Sequence, residues 1–330
     1  MSIFFLIRNC FLSVLLLAGK NAFSQKWNEE LIRASQEAAP AMMFLPDTIP
    51  RLLNVERFYD QRECIVRNGL TRIISLMEAG KPVRIAYIGG SITQGAYCYR
   101  QQSATFLAKR YFKSSITFFN AGVSGTGTDL GACRIGEQVL TQKPDLIFIE
   151  FAVNGAYAPG MEGMIRQIIK NNPLTDICLI YTVMTGQLDK YAQGSMPDNV
   201  RNLEAIADHY GLPSVHLGLW PAKLKSNGKL LWKGTKDVST RILFSNDGIH
   251  PLPEGGDLYA EAIARAFIKL EKAKLPVVKK QLKTPLLPDS WEDAGMYAPE
   301  DIATFDGRWE KIVPEKNQLF INTVRGFHIS

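Results

Sequence analysis

Two stretches carry the residue types of acyl-transfer chemistry. The run VRIAYIGG ends in the pair Gly89 and Gly90, and Ser91 follows directly; far downstream, FSNDGIHPLPEGG sets Asp247 three positions before His250. A hydroxyl becomes a nucleophile when a histidine takes its proton and a carboxylate orients that histidine. Glycines permit a tight turn with close backbone approach. If a helix opens at Ser91, its N–H points outward where the dipole favours negative charge. One turn from Asp247 to His250 lets the carboxylate hold Nδ1 while Nε2 faces the serine, the tautomer a general base requires. Each part alone is commonplace: a serine after two glycines caps many turns, and an Asp-x-x-His loop is often structural.

The histidine count narrows the base, because the chain has only four. His209 falls on the polar face of a predicted helix and is expected in solvent. His216 falls within a predicted strand, as a packed, hydrogen-bonded imidazole. His328 stands two residues from the last, where chains fray. His250 is left, in a loop expected beside the carboxyl edge of a sheet.

The elements that must position these residues follow from periodicity. Apolar residues at helical spacing predict a helix from Arg62 to Gly80, stopped by Gly80 and Pro82. VRIAYIGG then reads as a strand. The alternation repeats: helix Gln101 to Phe112 and strand ITFFN, helix Thr128 to Leu140 and strand DLIFIEF, helix Met161 to Lys170 and strand ICLIYTVM, helix Asp198 to Tyr210 and strand PSVHLG, and a last helix from Gly256 to Leu270. Near-continuous apolar strands between amphipathic helices predict a five-stranded parallel sheet in a three-layer α/β/α sandwich, with functional residues at the carboxyl ends of the strands.

Four segments, IAYIGGSITQG, NAGVSGTGTDLG, FIEFAVNG and DGIHP, resemble in order and spacing the signature blocks of the SGNH (GDSL-type) hydrolases, from about Lys81 to Leu270. The resemblance implies the flavodoxin-like fold of that family and a serine esterase activity without metal or cofactor. It implies Ser91 as nucleophile and first oxyanion donor, the Gly125 N–H and the Asn154 amide as second and third donors, and Asp247 with His250 as acid and base. Gly122 is a rival to Gly125. Two positions depart from the pattern: Gly90 stands where the namesake aspartate is usual, as in a GGSIT subset, and Gly155 follows Asn154 where another aspartate is usual. The second departure puts the aim of Asn154 in question.

The start, with Arg8, an apolar run from Phe11 to Ala18, and Ala22 and Ser24 ahead of Gln25, reads as a signal peptide cleaved after Ser24. Its apolar run is shorter than the roughly 20 residues of a spanning helix. The expected organisation is a leader over 1–24, a lead-in over 25–61, the hydrolase domain over 62–275, and a proline-marked linker and tail over 276–330. That tail, with Trp291, Trp309 and the run LFINTV, either packs back or begins a β-rich unit. The chain has 330 residues, 46% of them hydrophobic, enough for one large core. A net charge of +6 is mild, and basic clusters lack interleaved aromatics, so nucleic acid is not the expected partner. GTGTDLG misses the dinucleotide fingerprint by one residue in its last interval. Cys64, Cys98, Cys133 and Cys178 lack close metal-ligand spacing, no disulfide is assigned, and Cys178 reads as a buried small hydrophobe.

The expected activity is hydrolysis of a carbohydrate O-acetyl ester outside the cytoplasm, with RFYD, AYCYR and NGAYAPG as possible walls of a sugar cleft. The alternatives are a lipase or thioesterase for longer acyl chains, and a carbohydrate-binding protein whose esterase site has decayed. No feature specifies an oligomer.

Overall fold

The computed structural model describes residues 42–43, 52–95, 97–235 and 240–308. The leader, most of the lead-in, and the tail from Trp309 with LFINTV and His328 lie outside the described residues. A compact unit spans Pro40–Ile302, and residues 303–308, which group with the other unit, carry no helix or strand.

Five parallel strands form the centre of one sheet: β3 (Val83–Gly89), β4 (Ile116–Gly122), β5 (Leu146–Glu150), β6 (Asp176–Tyr181) and β7 (Ser214–His216), in the order β4-β3-β5-β6-β7. These are the five predicted strands. Two two-residue antiparallel strands, β1 (Met42–Met43) on β4 and β2 (Cys64–Ile65) on β7, extend the sheet to seven. Side chains alternate between two buried faces. Ile85, Tyr87, Phe148 and Ile180 pack with helices α1 (Thr71–Glu78), α3 (Arg100–Arg110) and α9 (Pro253–Lys272). Ala86, Ile88, Ile147, Ile149 and Leu179 pack with α4 (Thr128–Gln138), α5 (Ala158–Asn171) and α7 (Asp198–Tyr210). Both faces are covered, which is why the strands read as unbroken apolar runs. The strand order reverses beside β3, so the crevice at the carboxyl ends of β3 and β5 is where a doubly wound sheet places its ligand.

The helix predicted from Arg62 begins only at Thr71. Arg67 and Gly69 take left-handed conformations (φ 43° and 71°) that interrupt any helix before it. The turn lets the Arg67 guanidinium reach Asp208 Oδ1 and Glu204 Oε2, both at 2.7 Å, between the sheet edge and α7. Besides β1 and β2, the sequence did not anticipate α6 (Leu188–Ala192), α8 (Leu219–Ser226), or the parallel pair β8 (Leu230–Lys233) and β9 (Ile242–Ser245). A one-turn helix, α2 (Ser91–Gln94), opens on the serine, and another, α10 (Pro299–Ile302), lies near the end of the compact unit.

The segment after α9 runs back over α5 and α7. The Lys280 N–H donates to the Pro173 carbonyl (2.9 Å) and its Nζ meets Asp176 (2.8 Å). The N–H groups of Leu286 and Leu287 donate to the Glu162 carboxylate, Arg166 pairs with Glu292 at 2.7 Å, and Trp291 lies against Gly163. This segment corrects the reading of His209, which is half-buried and hydrogen-bonded through Nε2 to the Thr284 carbonyl (2.9 Å) rather than free in solvent. Cys178 is 1% exposed, a buried small side chain, and all four described cysteines are free. No helix among the described residues is long and apolar enough to cross a membrane.

Candidate active site

Ser91 leaves the carboxyl end of β3 as the first residue of α2. The β9–α9 loop delivers the other two groups. The Ser91 hydroxyl lies 2.7 Å from His250 Nε2, and His250 Nδ1 lies 2.5 Å from Asp247 Oδ2. The three side chains thus form one hydrogen-bonded relay. Asp247 is held by more than the histidine: its Oδ1 accepts the backbone N–H groups of Ile249 and His250 and the Ser245 hydroxyl, each at 2.8 Å. Burial would push the Asp247 carboxyl up, but the bonds from His250, from these N–H groups and from Ser245 hold it well below the usual carboxylate range. With its folded pKa depressed, the carboxylate contributes stability above its unfolded pKa and loses it only as pH falls through the depressed value.

The loop is pinned from behind. The Gly248 carbonyl accepts the Thr185 N–H (3.0 Å), the Thr185 hydroxyl (3.1 Å) and the Trp232 indole N–H (3.1 Å), while the Gly248 N–H donates to Ser245 Oγ at 2.9 Å. Trp232 is fixed in turn by stacking on Phe244, centroids 4.0 Å apart. Replacing Trp232 by phenylalanine keeps the stack and removes the indole donor. The expected result is a loss of about 1 kcal/mol in stability, the net value of one such bond, read by denaturant titration, with kcat reduced less than about tenfold because Thr185 still holds Gly248.

On the far side of Ser91 the β4–α4 turn is tied to both neighbouring loops. The Val123 N–H donates to the Gly89 carbonyl (3.0 Å) and the Ser124 N–H to Gln94 Oε1 (2.8 Å). A Cβ on Gly127 would sit 2.9 Å from the Asn154 carbonyl. Gly125 lies between these two contacts with φ +72° and no atom within 4 Å of where its Cβ would be. Gly122 is different: its N–H donates to Asn120 Oδ1 at 3.0 Å and its Cα packs on the Gln94 backbone, so its donor is already spent.

Asn154 sits directly over Gly90. A Cβ on Gly90 would lie 2.4 Å from Asn154 Oδ1 and 2.6 Å from Nδ2. Gly155 has φ +80°, a left-handed turn that an aspartate would enter only with strain. The structure therefore brings Ser91, Asp247 and His250 into contact, sets the Asn154 amide against the residue before Ser91, and places Gly125 in the turn between. Ser245, Thr185 and Trp232, which hold the loop, were not singled out in sequence. Of them only Ser245, two residues before Asp247, carried a local signal.

The aromatic stretches divide by exposure. Phe58 stacks on Trp220 at 4.7 Å. Tyr157, three residues beyond Asn154, is 45% exposed with its edge against Trp291 at 6.0 Å, and Tyr97 is 51% exposed. The loop of Tyr97 touches the residue after His250 through Cys98 Sγ and the Pro251 carbonyl (3.7 Å).

A model of the GDSL-like lipase/acylhydrolase family matches residues 87–258, more than half of the chain, including Ser91, Gly125, Asn154, Asp247 and His250. The chain belongs to that family. No curated protein sequence matches this GDSL-like chain. Two crystal structures of a two-domain esterase (CEX) active on acetylated mannans, one co-crystallized with mannopentaose, share its fold at TM-scores 0.59 and 0.58. Identity is 24% in both, over 73% of this chain, which spans 62–63% of the length of those esterases. Axe2, an acetylxylan esterase from Geobacillus stearothermophilus, is 22% identical over 57% of this chain and 94% of its own, at a TM-score of 0.42.

Proposed function

We propose that this GDSL-like protein is a serine ester hydrolase that removes small acyl groups, chiefly acetyl, from a carbohydrate. The observation that carries the reading is the unbroken relay Asp247–His250–Ser91, at 2.5 and 2.7 Å, in a chain of this family. Ser91 passes its proton to His250 Nε2 as its oxygen bonds to the ester carbonyl carbon. The Ser91 and Gly125 N–H groups and the Asn154 amide hold the resulting oxyanion. His250 then protonates the departing alcohol as its bond to carbon breaks, and water repeats the sequence on the acyl-enzyme.

Two observations support a small acyl group on a large alcohol. The His250 and Asp247 side chains are 44% and 51% exposed, so the relay lies open at the surface, as an ester borne on a polymer requires. Tyr97 and Tyr157 offer exposed rings on the loops beside His250 and beyond Asn154. Aromatic faces of this kind suit the apolar faces of sugars. The mannan esterase with this fold lends the same substrate class support. Export is part of the proposal and rests on the sequence of residues 1–24.

Acetate release from acetylated glycans, set against p-nitrophenyl esters of increasing chain length, tests the reading. Turnover is expected on acetyl esters with activity falling as the acyl chain lengthens. A fluorophosphonate is expected to label Ser91 in the folded chain. Absence of labelling would assign the chain to binding without catalysis, and a preference for long acyl chains would overturn the substrate class.

A further inference from the structure

Glu150 is the last residue of β5, fully buried, and paired in register with Gly89 just before the Ser91 turn. Its two oxygens are both occupied as acceptors. Thr182 donates to Oε1 at 2.5 Å and Thr93 to Oε2 at 2.9 Å. With its proton committed to Glu150, the Thr93 hydroxyl accepts from the Tyr99 hydroxyl at 2.7 Å. Two hydroxyls so placed can both donate to a carboxylate. Burial pushes Glu150 above the usual carboxylate range, and the Thr182 and Thr93 hydrogen bonds oppose that rise. Among the described residues no lysine or arginine forms a salt bridge with it, and the His250 ring is close enough for a charge there to favour the Glu150 carboxylate. A carboxyl buried without an ion-pair partner is costly to keep charged, and its place beneath the Ser91 turn points to the chemistry above it.

Thr93 lies two residues after Ser91 on α2, and Ser91 bonds His250, so the carboxylate sits beneath the pair that exchanges the proton. Buried arginines lie on both sides: Arg100 of α3, 3% exposed, donates to the Thr93 carbonyl at 3.0 Å, and Arg134 lies across the sheet. Arg134 of α4, fully buried, donates to the Gly89 and Ala121 carbonyls at 2.9 and 2.6 Å, on the side of the Gly125 turn. Burial pulls its guanidinium down to about 9, still protonated at neutral pH. Proton transfer from Ser91 creates a cation on His250 and, on carbonyl attack, an anion towards Gly125 and Asn154. Of these groups, Glu150 as a carboxylate and Arg134 have the signs that this separation favours.

We propose that Glu150 is a positioning residue of this site: through Thr93 it fixes the helix that starts at Ser91, and its buried charge favours the His250 imidazolium formed in the reaction. The inference rests on the esterase reading above. It distinguishes charge from shape, and two substitutions separate them. Glu150→Gln keeps the shape and discards the charge; Glu150→Asp keeps the charge and shortens the reach to Thr93. Steady-state turnover of p-nitrophenyl acetate at pH 8 is measured for both beside the wild-type chain, with melting temperatures. The expected result is a kcat lower by about tenfold to a hundredfold in Glu150→Gln, the size of a charge–charge interaction over several ångströms at an effective dielectric of about 20. KM stays within about twofold, and Glu150→Asp retains more activity than Glu150→Gln. Wild-type kcat in Glu150→Gln, or less activity in Glu150→Asp than in Glu150→Gln, would overturn the inference and leave Glu150 a spatial role only. If Glu150→Gln does not fold, Thr182→Val, which strips one donor from the carboxylate, is judged by the same criterion of lowered kcat at constant KM. A wild-type chain without turnover sinks the esterase reading instead, an outcome visible before any variant is compared.

Discussion

Replacing His250 by alanine is expected to lower kcat by roughly a millionfold, the scale on which hydrolases of this type lose activity without their base, while the chain stays folded. His250 is exposed and bonded only within the relay, so its loss opens no cavity. His216 makes the control, since it is the other histidine beside the carboxyl edge of the sheet. It is 2% exposed, its Nδ1 meets the Tyr191 hydroxyl at 2.9 Å, and its ring lies 5.1 Å from that of Tyr181. His216→Ala leaves a void and strands the Tyr191 hydroxyl, which costs about 1–3 kcal/mol of stability. It does not touch the proton transfer. Initial rates on p-nitrophenyl acetate with thermal melts of both variants check the pair: one loses turnover and keeps its melting temperature, the other does the reverse. Equal activity in the two variants would refute the assignment of the base.

The second large effect concerns Gly90. Restoring the aspartate for which the family is named, or placing alanine there, is expected to lower kcat by about a hundredfold to a thousandfold. A Cβ at Gly90 would lie 2.4 Å from Asn154 Oδ1, so the Asn154 side chain must move. The amide is the end of a short side chain and can yield, which keeps the cost to folding small. It yields at the expense of its place beside Ser91. Loss of one oxyanion donor raises the barrier by about 2.7–4 kcal/mol. Comparing kcat of Gly90→Ala and Gly90→Asp with that of Asn154→Ala checks the mechanism, because all three should lose a similar factor and Gly90→Ala combined with Asn154→Ala should lose little more. Wild-type turnover in Gly90→Ala would show that Asn154 takes no part.

The same interlock explains what the sequence could and could not convey. Gly90 and Gly155 read in one dimension as two separate departures from a family pattern. In three dimensions Gly90 makes room for the Asn154 amide, and Gly155 supplies the left-handed turn after it. The five parallel strands were legible because both faces of each are buried, which writes an unbroken apolar run. Helix α7 was legible to its end residues because Gly211 stops it in a left-handed cap. The elements α6, α8, β8 and β9, of five, eight, four and four residues, are too short for periodicity to separate from loop. They form the frame behind the base, and Trp232 and Thr185 acquire their roles only when that frame brings them to one carbonyl. The rival between Gly122 and Gly125 could not be settled by spacing either. The bond from the Gly122 N–H to the Asn120 side chain could not be read from the sequence at all.

The Gly248 carbonyl, gripped by two donors of Thr185 and by the indole of Trp232 on β8, ties the His250 loop to the frame of the domain. A site assembled in advance has no induced fit with which to choose among substrates. On the proposed esterase reading, discrimination then falls to the fixed walls around Ser91, which would tolerate many alcohols and set the size of the acyl group between Gly125, Asn154 and the serine.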